Sequence, residues 1–243
     1  MSISPSNPHI KRIVKIRKEK KARLKEKKVL IVGTKALSDI KKAGHRINTL
    51  ITTKKIGGKK YKPKKTLLVS KKVMGKITNV KSPEDVAALV DLPEKELTSK
   101  DYVLILDNIS DPGNLGTIIR SANAFKFDMI IISENSTDPY GEKALRAAKG
   151  ATFFIPIRTM SENKIFLFIQ KNKLTTYLAD VEGVSLNTMT FKKPLGLIMS
   201  NEAKGPSEWT KKISKRFTIP IKKDIDSLNV AIAASICMYE MRK

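Results

Sequence analysis

"VLILDNISDPGNLGTIIRSANAFKFDMIII", Val103 to Ile132, sets two apolar runs on either side of a polar loop and a helix-patterned segment. The runs read as buried strands, and a strand, a loop, a helix and a second strand make up the unit of a parallel sheet. Within the loop, Asp111-Pro112-Gly113 reads as a turn, Asn114 as a helix N-cap, and Leu115 onward as helix. Such a loop can cradle a phosphate, shape a turn, or place polar groups for a reaction. It matches neither G-x-x-x-x-G-K-[ST] nor G-x-G-x-x-G, so phosphate binding of those two kinds has no support. Arg120 follows Asn114 by six residues, under two helical turns, which lets both face one cleft at the strand ends.

Outward from this unit the alternation continues. Strands are expected at 102–107, 128–133, 153–157, 174–180, 195–200 and 216–221, with helices at 115–125, 140–149, 161–171 and 227–241. The last helix has Ser227 as its expected cap. It is apolar almost all round, as a core helix or a helix at a dimer seam would be. Upstream, residues 29–93 read as a small α/β unit, with "SPEDVAALVDLP" opening on a helix-capping pattern. Residues 94–101 are charged and aperiodic and serve as the linker. Residues 8–28 read as a basic helix, and residues 1–28 as an electrostatic arm.

Charge divides the chain unevenly. Residues 1–100 carry 28 Lys/Arg against 8 Asp/Glu, whereas residues 101–243 carry 20 against 15. A front half of this kind suits a polyanion, and cation release from a neutralised phosphate backbone would make the binding salt-dependent. The Lys-rich loop 54–65 and the arm at 11–28 offer the contacts. The basic segments lack aromatic anchors and no apolar run nears the ~20 residues that span a bilayer, so no membrane role is expected. One cysteine, Cys237, suits a reducing compartment, and the cytoplasm is the expected location. With His9 and His45 the only histidines, neither a zinc site nor a Ser–His–Asp hydrolase has the residues it needs.

Three segments in this order carry a resemblance. "DNISDPGNLGTIIRSANAF", "LIMSNEAKG" and "IPIKKDIDSLNVAIAASICMYEMR" resemble the three signature motifs of the SpoU (TrmH-like) RNA ribose 2′-O-methyltransferases of the SPOUT superfamily. "KKVLIVGTKAL" and "SPEDVAALVDLP" resemble, more weakly, the ribosomal-protein-like substrate-binding domain often fused to that catalytic domain. The resemblance implies an α/β chain: a parallel-sheet catalytic domain over 102–243 with a C-terminal trefoil knot, preceded by a small RNA-binding domain. It implies S-adenosylmethionine as cofactor, no metal, and a homodimer through the final helix. RNA is the implied partner, ribosomal in preference to transfer RNA. A ribosome-associated RNA-binding protein that keeps the scaffold without the activity is the alternative.

By the same resemblance, Asn114, Arg120, Glu202, Ser227 and Asn229 take the catalytic positions. Ala179, Met199, Ser200, Asn201, Ile219, Ile221 and Leu228 take the cofactor positions. Two residues depart from the family's pattern, which commonly has Gly at both. Ser200 adds a hydroxyl near the cofactor wall, and Lys126 is expected to affect only substrate or surface.

Overall fold

The computed structural model describes residues 4–54, 61–94, 99–201, 204–222 and 224–243. Contacts divide the chain into one compact unit of residues 1–94 with 140–145, and a second of 95–139 with 146–243.

In the first unit, α1 (Pro8–Lys18) and α2 (Lys20–Glu26) precede β1 (Lys28–Val32) and α3 (Thr34–Lys42). β2 (Ile47–Thr52), β3 (Lys65–Leu68), α4 (Lys71–Thr78) and β4 (Val86–Asp91) complete it. The strands order as β1-β4-β2-β3, antiparallel except for the β2/β3 pair. Although α1 is strongly basic, Ile10, Ile13 and Ile16 lie at helical spacing and are buried with Leu30, Ile51, Val73 and Met74. This stretch is therefore built into the unit's core. Glu26 accepts a two-pronged pair from Arg12, its Oε1 lying 2.6 Å from Arg12 Nε, and this holds α2 against α1.

The expected helix at "SPEDVAALVDLP" is strand β4. It pairs on both sides, and Val86 to Val90 are all buried. Its acidic opening serves another element, since Glu84 Oε2 accepts the backbone N–H of Thr34 at the start of α3 (3.2 Å). The helix that the sequence reading left out is α4, capped by Ser70 Oγ accepting from Val73 N.

The second unit opens with β5 (Tyr102–Asp107), α5 (Pro112–Ala124) and β6 (Met129–Ser133). α6 (Glu142–Ala148) follows in the chain, then β7 (Ile157–Met160), α7 (Glu162–Lys171) and β8 (Thr175–Ser185). β9 (Leu195–Ser200), α8 (Glu208–Ile213), β10 (Lys215–Thr218) and α9 (Val230–Arg242) end it. Its six strands are all parallel, in the order β10-β8-β9-β5-β6-β7. Alternation along the strands divides the core in two. Leu104, Leu106, Leu197 and Met199 pack under α5 and α9, while Val103, Ile105 and Ile198 pack under α7. Both faces are covered, which is why β5 and β9 read as unbroken apolar runs.

Three strand boundaries differ from expectation, and the simplest is that of β8, which runs on to Ser185 rather than ending at 180. At 153–157 the chain first makes a 3-10 turn, Ala151–Phe153, and the strand starts only after Pro156. Phe153 and Ile155 are buried in that turn, and an apolar run looks the same in either setting. β10 stops at Thr218 rather than 221, because Ile219 and Pro220 leave the sheet. Lys126 holds a left-handed backbone (φ 55°) just past α5, so the glycine preference there is one of chain geometry rather than of surface. At Gly183 a Cβ would sit 2.7 Å from the backbone of Arg216 and Phe217, and only glycine lets β10 run so close beside β8.

Ile16→Ala is expected to destabilise the first unit by about 2–5 kcal/mol in denaturant unfolding, through the cavity left in its core. An unchanged midpoint would mean that residues 8–18 form a detached arm.

Candidate cofactor and substrate site

The site lies in the second unit, at the carboxyl ends of β5, β9 and β8. Asp107 ends β5 fully buried, and its carboxylate accepts from Asn108 Nδ2 (2.8 Å) and from the backbone N–H of Ser207 (3.1 Å). Asn108, with φ 58°, turns its carbonyl to accept from Asn201 Nδ2 (2.9 Å). Asn201 Oδ1 in turn accepts from Lys204 N (3.0 Å), and Asn201 O accepts from Gly205 N (2.9 Å). The loops after β5 and β9 are thus one hydrogen-bonded body.

The cap of α5 is Asp111, not Asn114. Asp111 Oδ1 accepts the Asn114 N–H at 2.8 Å, and Pro112, which has no N–H to satisfy, occupies the first turn. Likewise the cap of α9 is Asn229, not Ser227, its Oδ1 accepting from Ala231 N (3.0 Å) and Ile232 N (3.4 Å). Asn114 does not cap α5, and its Oδ1 accepts from Asn229 Nδ2 at 3.1 Å. The starts of α5 and α9 are joined there, and Ser121 Oγ and Ser235 Oγ meet at 2.8 Å further along.

Beside this junction is a cavity of about 500 Å³. Ala179, Met199, Ser200, Asn201, Ile219, Ile221 and Leu228, the seven anticipated cofactor residues, line it, and so does Ser227. Asn114 and Asn229 are not among its lining residues; they stand at the helix starts next to Leu228 and Val230. Arg120 is not brought to the cavity. It is exposed on α5, roughly 9 Å of helix rise beyond Asn114, and makes no hydrogen bond or ion pair with the described residues. Glu202 lies outside the described residues. Asp180 and Thr218 also line the cavity and were missed, because they fall outside the motif segments, as was Ile225, which lies within the third.

Ser200 supplies a test of fit. Its Oγ is buried in the cavity wall with no hydrogen-bond partner among the described residues. A buried hydroxyl without a partner is rare, and a polar ligand in the cavity would satisfy it. The rest of the lining is largely apolar with a few polar groups, as suits a nucleoside-sized ligand. Cys237 takes no part, since burial pushes its thiol pKa up to about 12 and leaves it protonated at neutral pH. Among the described residues there is no cluster of three His, Cys, Asp or Glu suited to a metal, and no helix is long and apolar enough to cross a membrane.

Comparison with known proteins agrees with this geometry. Residues 101–239 match the SpoU rRNA Methylase family, and residues 7–88 match the MRM3-like substrate binding domain. The 23S rRNA (guanosine(2553)-2′-O)-methyltransferase RlmP of Bacillus subtilis is 29% identical over 177 residues, 72% of this chain and 71% of that protein. The mitochondrial rRNA methyltransferase 3 of Xenopus tropicalis is 26% identical, covering 98% of this chain and 75% of its own. An AdoMet-bound rRNA methyltransferase from Sinorhizobium meliloti superimposes with a TM-score of 0.86 at 29% identity, over 100% of this chain and 96% of that one. The class is therefore that of the RNA methyltransferases. Within it, the chain belongs to the SpoU rRNA methylase family.

Asn229→Ala is expected to lower stability by about 1 kcal/mol through the lost cap. Asn229→Asp keeps the capping oxygen but not the donor to Asn114. It is expected to melt near the wild type yet transfer methyl groups at least roughly tenfold more slowly, the loss of a hydrogen bond worth about 1.4 kcal/mol. Full activity in Asn229→Asp would show that the Asn114 contact is only structural.

Proposed function

We propose that this protein methylates a ribose 2′-hydroxyl of ribosomal RNA, with the large-subunit RNA as substrate and S-adenosylmethionine as donor. The reading is carried by one observation: residues from distant parts of the chain, anticipated from the second and third motifs and at Ala179, line a single nucleoside-sized cavity holding a hydroxyl with no partner among the described residues. The names of the relatives support the ribosomal substrate. When bound, S-adenosylmethionine supplies a methyl group already activated on a sulfonium.

The chain's own residues then have to align and stabilise. Met199, Ile219, Ile221 and Leu228 exclude water from the cofactor, and Ser200 Oγ satisfies one of its polar groups. Asn114, fixed through Asn229, orients the attacking sugar oxygen, with Ser227 and Glu202 completing the pocket. Alignment of this kind supplies several kcal/mol of the barrier. Arginine is a poor candidate for a general base in proteins, so that role is not given to Arg120. Its guanidinium holds the phosphate next to the target ribose and stabilises charge developing on the oxygen, while the proton leaves to water or to a substrate phosphate.

Residues 8–93 choose the RNA. The exposed lysines of α1 and α3 supply phosphate contacts, and part of the Lys-rich loop anticipated for the same task, residues 55–60, lies outside the described residues. The catalytic portion begins at about residue 102, after the linker, its C-terminal part threaded into the family's trefoil knot. The working form is a homodimer through α9. Ile232 and Tyr239 are 55% and 53% exposed there, and with Ile236 they occupy i, i+4 and i+7 of one face. The protein works in the cytoplasm.

Titration calorimetry is expected to show S-adenosylmethionine binding to the pure protein. Mapping of 2′-O-methyl groups is expected to show one large-subunit position lost from cells without the gene. An unchanged map with no heat of binding would leave a non-catalytic RNA-binding protein. Arg120→Lys keeps the charge but loses the two-pronged fork, so methyl transfer is expected to fall roughly 10–100-fold with cofactor affinity unchanged. Undiminished transfer would remove Arg120 from this role. Ile232→Glu is expected to sediment as a monomer, and a persisting dimer would place the interface elsewhere.

A further inference from the structure

A carboxylate at the far side of the cavity has no assigned task. Asp180 follows Ala179 in the middle of β8, just past the part paired with β9, and lines the cavity, and its side chain is only 8% exposed. Oδ1 accepts the backbone N–H of Val181 at 2.8 Å. Oδ2 has only Arg216 Nη1 at 3.7 Å, beyond hydrogen-bonding distance, and that guanidinium donates instead to the exposed Glu182 at 3.3 Å. Oδ2 is thus left without a hydrogen bond from the described residues at a side chain that lines the cavity, where a ligand's donors can meet it.

We propose that Asp180 grips the ribose diol of the cofactor's adenosyl group, a contact that rests on the cavity being the cofactor site. Position selects the diol over the cationic end. In the sheet order β8-β9-β5, Asp180 leaves from a strand two places from β5, about 10 Å across at ordinary strand spacing, and β5 leads to Asn114. The methyl-bearing sulfur has to lie on the Asn114 side, where the sugar oxygen attacks. The adenosyl sugar then falls toward β8. Two vicinal hydroxyls donating to one carboxylate satisfy both groups, and the bonds are strengthened by the full charge on the acceptor. The preference is for a ribonucleoside: the carboxylate selects the 2′- and 3′-hydroxyls and leaves recognition of sulfur and amino acid to other residues.

The test compares S-adenosylhomocysteine with 5′-methylthioadenosine, which keeps the ribose but lacks the amino acid, on the intact wild-type and Asp180→Asn proteins. Asp180→Asn is expected to weaken both ligands by the same factor, about 10–100-fold, as for loss of a hydrogen bond to a charged group. The 2′-deoxy and 3′-deoxy forms of S-adenosylhomocysteine are expected to bind the wild type more weakly by a similar factor and to lose little further in the variant. Weakening confined to S-adenosylhomocysteine would move Asp180 to the ammonium group and overturn the proposal. So would undiminished binding of both deoxy forms to the wild type, a measurement that needs no variant to fold. If the wild type binds S-adenosylhomocysteine but Asp180→Asn binds it equally well, this inference fails and the cofactor reading stands. If the wild type binds neither ligand, the cofactor reading itself fails and takes this inference with it.

Discussion

The carboxylate of Asp107, buried at the carboxyl end of a central strand, holds together loops that lie 100 residues apart in the chain. A buried carboxylate is tolerable only when donors surround it, and here the donors come from its own loop and from the loop leading into α8. Ser207 N and Asn108 Nδ2 meet it directly. The turn it imposes on Asn108 then presents a carbonyl to Asn201, the residue just beyond the end of β9. The cavity wall and the junction at Asn114 are both built on this arrangement. Removing the anion would leave the Ser207 N–H and the Asn108 amide to find new partners at the edge of an apolar sheet.

The parallel half was readable because its physics is local and repetitive. β5, β6 and β9 are buried on both faces, so their apolar runs are continuous and their ends sharp. The front unit was less readable, because two local signals there pointed away from the fold. The acidic residues before Val86 look like the start of a helix, yet Glu84 caps a different helix, 50 residues away in sequence. In α1 the charge of the lysines concealed an apolar stripe, Ile10, Ile13 and Ile16, whose spacing was present all along. Burial decided both cases, and burial belongs to the tertiary structure.

Helix caps were the least legible part of the site. Asp111 and Asn114 are both good caps within three residues of each other, as are Ser227 and Asn229 within two. Local propensity does not choose between such neighbours. Tertiary contacts do, since Ser227 and Leu228 are held in the cavity wall and the first free capping position is Asn229. Apart from Ala179, the cavity residues outside the motifs were not anticipated. Asp180 is an aspartate that follows an apolar run within β8, and only its place in the cavity lining sets it apart.

The use of Asn229 shows how stability and function share one side chain. Its oxygen caps α9 while its amide donates to Asn114, so the start of one helix positions the polar group at the start of another. Both α5 and α9 run for 13 residues and begin at this junction. The positive ends of two helix dipoles therefore converge where the proposed reaction builds negative charge on a sugar oxygen, beside a phosphate. A helix dipole is already oriented and needs no rearrangement when charge appears. That offers an electrostatic reason for an enzyme with no metal in its proposed chemistry to seat its target between two helix starts.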